Sequence, residues 1–180
     1  MKTLVVYYSN TGSNKYLAVK IARSLKCEIE ALRPRLNFFP FLILFSLINK
    51  SLGIKTLSSK VHDYDRIIVC GPIWMGQFIS PLHDFVHKYR KSIKTLCFAT
   101  CCASSDAAKD AKFGYNLAFK KVKNLLGEKC IHVEAFPIGL VLPEDKKEDS
   151  NATMKTRLSD NNFSGEIQNR FENFIKTVTE

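Results

Sequence analysis

Short apolar runs alternate along this chain with longer amphipathic stretches. Five of the runs have the length and apolar content of buried strands: residues 3–8, 27–32, 66–70, 95–100 and part of 129–140. Four stretches carry apolar residues at helical spacing: 13–25, 81–89, 107–126 and 165–178. Strands that alternate with helices in this way are typical of α/β domains with a parallel sheet. We therefore expect a three-layer α/β sandwich, with a doubly wound five-stranded parallel sheet between two layers of helices.

One apolar segment does not fit this alternation. Residues 38–48 read FFPFLILFSLI and lie within an insertion at about 36–54, between the second and third predicted strands. The segment is too short to span a membrane, which requires about 20 residues. It predicts an inserted helix that packs against the sheet, a partner subunit or a bound ligand. Because basic residues flank it, a helix that lies in a membrane interface is the alternative, and a homodimer is left open.

A polar segment at about 142–162 is rich in Lys, Glu, Asp, Asn and Ser, and predicts a solvated excursion before the last helix. No repeat interrupts the pattern. A length of 180 residues suits one domain with its own core, so we expect a single domain over 1–180.

The chain carries 27 Lys and Arg against 17 Asp and Glu, a formal net charge of +10. Such a surface attracts anions, but the charge alone does not distinguish phosphates, nucleic acid, an acidic membrane and an acidic protein. The first residues enter a predicted strand directly and show no secretory signal, so we expect a cytoplasmic protein whose six cysteines are reduced.

The loop after the first strand concentrates hydrogen-bonding residues. It contains Ser9, Asn10, Thr11, Gly12, Ser13 and Asn14, directly before a predicted helix. An ordinary helix cap requires one such side chain rather than five. Hydroxyl and amide groups together with the N–H groups of a helix start favour a negative charge, so the loop predicts a phosphate-binding cup.

The stretch YYSNTGSNKYLA resembles the phosphate-binding loop of flavodoxins and flavodoxin-like proteins, with Asn14 where a threonine is common. In that family the loop holds the 5′-phosphate of FMN. The resemblance implies a strand order of 2-1-3-4-5 and FMN as the cofactor. No P-loop or dinucleotide-binding glycine pattern is present in the sequence, which agrees with a loop for a monophosphate.

Two further loops are similar to flavin-contacting segments of the same family. After the third strand come Pro72, Ile73, Trp74, Met75 and Gly76, and the resemblance implies that Trp74 lies against the flavin ring. After the fourth strand come Thr100, Cys101 and Cys102, where the family often has glycines. Adjacent thiols could be redox-active or bind a soft metal. Because no further ligand is spaced to join them, we interpret them as small residues that line a pocket, and expect no metal site.

The resemblance implies an FMN-binding flavoprotein that transfers electrons between redox partners. An FMN-dependent oxidoreductase of the NAD(P)H:quinone type is the first alternative. The sequence shows no nicotinamide fingerprint and no evident acid/base pair, which favours a carrier without catalytic side chains. Flavodoxins that carry electrons are commonly acidic, whereas this chain is basic, so we expect an acidic docking surface on its partners.

The second alternative is a basic interaction module that has this fold and no cofactor. Lysines in the helix predicted over 107–126 could serve it: Lys109, Lys112, Lys120, Lys121 and Lys123. A lysine-rich helix is more often a solvated face, and we expect no nucleic-acid partner.

Overall fold

The computed structural model describes residues 1–48, 51–147 and 149–180. Five strands form a parallel sheet: β1 (Thr3–Tyr7), β2 (Glu28–Ala31), β3 (Arg66–Cys70), β6 (Thr95–Cys102) and β7 (Cys130–Pro137). Two short strands, β4 (Ile73–Trp74) and β5 (Gln77–Phe78), form a separate antiparallel hairpin. The order across the sheet is β2-β1-β3-β6-β7. Counted along the chain, these are sheet strands 2-1-3-4-5, which confirms the predicted order.

The described residues form six α-helices: α1 (Ser13–Ser24), α2 (Phe39–Leu47), α3 (Ser80–Tyr89), α4 (Tyr115–Leu126), α5 (Ser150–Lys155) and α6 (Glu166–Thr179). Helices α1 and α6 bury their apolar sides with Val5 and Ile68 on one face of the sheet. Helices α3 and α4 pack with Leu4 and Val69 on the other face. A parallel sheet that is covered on both faces has near-continuous apolar strands, which explains why the apolar runs in the sequence predict β1 and β3.

The helix predicted over 107–126 starts later than its sequence pattern indicates, at Tyr115 rather than at residue 107. Residues 105–114 instead form successive tight turns, in which Ala108 N–H donates to Ser105 O and Gly114 N–H donates to Ala111 O. Gly114 ends these turns in close contact with the carbonyl of Lys109, where a Cβ would lie 2.1 Å from that oxygen. The local helical spacing is therefore overridden by a loop that the tertiary structure holds in place.

The apolar insertion contains a helix, α2, as expected. Its stem is closed by an antiparallel bridge between Pro34 and Ile54. Helix α2 packs against α3 and β5, with Leu42 buried. The hydroxyl of Ser46 donates to Leu42 O (2.6 Å) and accepts from Ser80 N–H (2.7 Å), which joins α2 to the start of α3. Within the described ranges, no helix has both the length and the apolar character that crossing a bilayer requires.

Candidate functional site

The sheet order reverses between β1 and β3. The connection that follows β1 leads to α1 on one face, and the connection that follows β3 leads to α3 on the other. In open α/β sheets, ligands bind beyond the carboxyl ends of the strands at such a reversal. The loops after β1, β3 and β6 all leave the sheet at this edge because the strands are parallel.

The loop after β1 ends in a sharp turn at Gly12, whose φ of +104° favours glycine. Gly12 N–H donates to the hydroxyl of Ser9 (3.1 Å), and α1 starts at the next residue. No side chain caps α1, and its first turn has no acidic residue. The first N–H groups of a helix have no intrahelical partners and attract anions. Ser9 is half-buried, whereas Asn10 and Thr11 are exposed beside this helix start.

Ser13 and Asn14 are buried and have partners inside the protein. Asn14 Nδ2 donates to Cys101 O (2.9 Å), and its Oδ1 accepts from Cys101 N–H (2.8 Å). Ser13 Oγ accepts from Leu158 N–H (3.2 Å). These two side chains join the loop to the end of β6 and to the segment before α6. The exposed donors of the predicted cup are therefore Asn10, Thr11 and the backbone of the helix start.

A cleft of about 540 Å³ opens beside this loop, toward the β2 side of the sheet. Three basic side chains line it, Lys15, Arg33 and Lys55, and none of its lining residues is acidic. Tyr8 and Asn37 also line the cleft, where the Tyr8 hydroxyl donates to Asn37 Oδ1 (3.2 Å). Burial raises the pKa of Tyr8, which keeps this hydroxyl protonated as a donor. The cleft therefore has the charge to accept an anionic ligand.

Trp74 lies in the β4–β5 hairpin rather than in an irregular loop. The hairpin turns at Met75 (φ +50°) and Gly76 (φ +69°), and two-residue turns of this kind require positive φ at both positions. The Trp74 ring is half-buried and meets Tyr8 edge to face, with centroids 6.5 Å apart. This contact places the tryptophan beside the residue that precedes Ser9.

The other predicted residues of the hairpin segment differ in exposure. Pro72 and Ile73 are half-buried, and Met75 is exposed. Gly76 is buried against α4, where a Cβ would lie 3.1 Å from Leu117 Cδ1. The hairpin is thus fixed against α4 on one side and presents Met75 on the other.

The predicted flavin-contacting residues Thr100, Cys101 and Cys102 are the last residues of β6 and are buried, rather than exposed in a loop. Thr100 is fully buried, and its Oγ1 has no partner among the described residues. Cys101 and Cys102 belong to the cores on opposite faces of the sheet. Burial raises the pKa of Cys101 to about 12 and the pKa of Cys102 well above its usual range, so both are neutral thiols at pH 7. In the described parts of the chain, no cluster of three His, Cys, Asp or Glu residues could hold a metal ion.

An ion pair holds the loop that follows β6. Arg170 of α6 donates two hydrogen bonds to Asp106, at 2.6 and 3.1 Å. The Tyr115 hydroxyl donates a third bond to the same carboxylate (2.6 Å). Hydrogen bonds from Arg170 hold the pKa of Asp106 below its usual range. This carboxylate fixes the loop at the candidate site.

Sequence reasoning did not identify several residues of this edge: Tyr8, Lys15, Arg33, Asn37, Lys55, Tyr115 and Arg170. Lys15 had a local signal, because it directly follows the predicted cup. Arg33 and Lys55 are 22 positions apart in the sequence, and they become neighbours through the antiparallel bridge between Pro34 and Ile54 and the backbone bond from Lys55 N–H to Arg33 O (2.8 Å).

The sequence model of the flavodoxin domain family matches residues 50–160. No curated protein matches the chain. Among solved structures, a flavoprotein from Lactobacillus acidophilus NCFM in complex with FMN has a TM-score of 0.62 and 18% identity, over 74% of this chain and 92% of that one.

Two other structures match almost the whole chain. The flavodoxin of Fusobacterium nucleatum, bound to flavin mononucleotide, has a TM-score of 0.50 and 11% identity, over 99% of this chain and 98% of that one. An FMN-dependent NADH-azoreductase from Bacillus anthracis has a TM-score of 0.52 and 12% identity, over 99% and 98%. At these identities the likeness shows a shared fold.

Proposed function

Because this chain belongs to the flavodoxin domain family, we propose that it binds FMN non-covalently and transfers electrons between redox partners. One observation carries the proposal: the polar loop after β1 and the Trp74 hairpin lie side by side where the sheet order reverses. The contact between the Tyr8 and Trp74 rings links them directly.

The donors of the first loop fit a phosphate. The Thr11 hydroxyl is exposed next to the uncapped start of α1, and Gly12 leaves open space on its Cβ side. The dipole of α1 favours a negative charge at this end, and no acidic residue in its first turn opposes it. Lys15 adds a positive charge beside the loop. Thr11 and the helix N–H groups would hold the phosphate by hydrogen bonds.

Trp74 suits the flat ring of a flavin. Its indole is half-buried in a hairpin that is fixed by two positive-φ turn residues and by Gly76 against α4. A rigid aromatic side chain orients a planar ligand and excludes water from one side of it. Bound FMN supplies the redox chemistry, because its ring accepts and returns electrons. The protein contributes binding, orientation and electrostatics.

The positive charge of the chain supports an acidic partner for a carrier. Its formal net charge is +10. The residues that line the cleft beside the proposed phosphate cup include three basic side chains and no acidic one. Opposite charges steer two proteins together and increase the association rate, and this effect weakens as salt is added. Electron transfer to acidic partners should therefore slow with ionic strength.

The basic cleft also favours a second candidate, an FMN-dependent oxidoreductase of the NAD(P)H:quinone type. Lys15, Arg33 and Lys55 could receive the phosphates of a nicotinamide cofactor in the volume next to the first loop. One structural neighbour is itself an FMN-dependent NADH-azoreductase. This candidate differs from the carrier in that it would oxidise NADH or NADPH without a partner protein.

Titration of the purified apoprotein with FMN tests the proposal. Binding should quench the flavin fluorescence and saturate at one FMN per chain, and denaturation should release the same flavin. A chain that neither carries nor takes up FMN would favour the interaction module without a cofactor. Steady-state oxidation of NADH and NADPH by the FMN-loaded protein, with a quinone as acceptor, then separates the two flavoprotein candidates. Rapid turnover would identify the protein as a reductase rather than a carrier.

A further inference from the structure

The inserted helix α2 has an exposed apolar face. Four large side chains at positions spaced by three or four residues make up this docking face: Phe38 (54% exposed), Phe41 (43%), Leu44 (49%) and Ile48 (49%). The rings of Phe38 and Phe41 touch edge to face, with centroids 5.3 Å apart. A surface helix of a globular protein normally places polar residues on its outer side, whereas this helix is apolar on both sides.

The inner side of α2 is already occupied. Leu42 is buried, and Ser46 bonds to the backbone at Leu42 and Ser80. Because these bonds of Ser46 fix the rotation of α2, the helix cannot turn about its axis to bury the docking face in the core. Contiguous exposed apolar surface of this kind marks a contact with a partner or a membrane.

The charged residues within the insertion are all basic. From Ala31 to His62 the sequence contains five basic residues and no Asp or Glu. The bridge between Pro34 and Ile54 gathers three of them at the stem of the insertion, because Arg35 N–H bonds to Gly53 O and Lys55 N–H bonds to Arg33 O. Arg33, Arg35 and Lys55 are all exposed there.

We propose that the docking face binds the surface of a bilayer that contains anionic lipids, with α2 lying in the plane of the interface. Amphipathic binding of this type combines buried aromatic and aliphatic side chains with cations that pair with lipid phosphates and carboxylates. A nine-residue helix is about 14 Å long, so it lies in one interface rather than crossing the roughly 30 Å of hydrocarbon.

A second copy of the chain fits the docking face less well. In a two-fold dimer the same patch meets itself, so both copies would bring the same positive charge to the contact. The segment offers no carboxylate of its own to pair with them. An anionic bilayer supplies both the apolar phase and the opposite charge.

Because α2 packs against β5, which belongs to the hairpin of Trp74, the helix that carries the docking face adjoins the candidate site. The proposal goes beyond the proposed function and does not depend on FMN. A bound chain would present that edge of the sheet near the lipid surface.

Co-flotation of the full-length chain with vesicles tests the proposal. The chain should float with vesicles of mixed phosphatidylcholine and phosphatidylserine, and much less with phosphatidylcholine alone or at high salt. The double variant Phe41→Gln/Leu44→Gln should weaken binding to the mixed vesicles by about tenfold or more, because it removes apolar contact from the interface.

The matched control is Ile131→Gln/Met154→Gln, which removes two side chains of comparable exposure (48% and 66%) outside the insertion. It should bind like the unchanged protein. Circular dichroism and thermal unfolding establish that both variants are folded. Failure of the unchanged chain to float, or equal binding by both double variants, would overturn the proposal. A concentration-dependent dimer that Phe41→Gln/Leu44→Gln abolishes, without vesicle binding, would assign the face to a second copy.

Discussion

The side-chain amide of Asn14 forms two hydrogen bonds with the backbone of Cys101, one to the carbonyl oxygen and one from the N–H group. The two residues are 87 positions apart, and both are buried. This pair fixes the start of α1, and with it the proposed phosphate cup, to the carboxyl end of β6.

We expect Asn14→Ala to destabilise the fold by about 2–4 kcal/mol, because it leaves two buried backbone groups of Cys101 without these partners. Urea-induced unfolding, followed by circular dichroism, measures the change. Asn124→Ala, at an exposed position of α4, is the control and should stay within about 0.5 kcal/mol of the unchanged protein. Equal stabilities of the two variants would show that the Asn14 pair contributes little.

Thr11→Ala tests the proposed phosphate contact. Loss of one hydrogen bond to a charged group should weaken FMN binding by about 1–3 kcal/mol, while the exposed position of Thr11 leaves folding stability nearly unchanged. Fluorescence titration measures the affinity. Thr177→Ala, at an exposed position of α6, provides the matched control. An unchanged affinity in Thr11→Ala would place the phosphate elsewhere.

The Asp106–Arg170 pair makes the stability dependent on pH in a defined direction. Because its pKa is lowered in the folded state, Asp106 stabilises the fold above its unfolded pKa of about 3.9, and this contribution disappears as the pH falls through the folded value. The side chain is 40% exposed, so solvent screening limits the contribution to about 1 kcal/mol. The difference in unfolding free energy between the unchanged protein and Asp106→Asn should therefore be present at pH 7 and shrink below about pH 4.

Asp145→Asn is the control for that pH series, since Asp145 is exposed outside this cluster. Glu134 also approaches Arg170, and burial raises its pKa. Glu134 is present in the unchanged protein and in both variants. A difference between the unchanged protein and Asp106→Asn that stays constant down to pH 3 would contradict the assignment to Asp106.

The adjacent thiols should be unreactive in the folded protein. Cys101 and Cys102 are buried with raised pKa values, and the thiolate is the reactive form. Cys27 and Cys130 are only half-buried and should be alkylated first by iodoacetamide. Peptide mapping by mass spectrometry gives the order, and urea should make all of these positions reactive. Early labelling of Cys101 or Cys102 would revive a redox role for the pair.

The elements of this fold were largely predictable because each has a local cause. The buried strand Arg66–Cys70 is an apolar run between polar residues, and α6 places Ile167, Phe171, Phe174 and Val178 on one side. The polar loop at Ser9 to Asn14 is equally local. Residues 107–114 do not form the predicted helix. The bond from Arg170 to Asp106 that fixes this loop joins residues 64 positions apart, outside the window in which helical spacing is judged.

The sequence by itself determined which residue types follow each strand, and hence that hydroxyl and amide side chains lie at the carboxyl end of the sheet. Only the tertiary structure decided how those residues are used. Asn14 is buried and bonds to Cys101, whereas Thr11 is exposed. The ring of Trp74 contacts Tyr8 at the point where the strand order reverses. Arg33 and Lys55 became neighbours through the antiparallel pairing at the stem of the insertion. The physical reason is that propensity and periodicity act over a few neighbouring residues, whereas a site is assembled by strand pairing that brings distant loops to one edge.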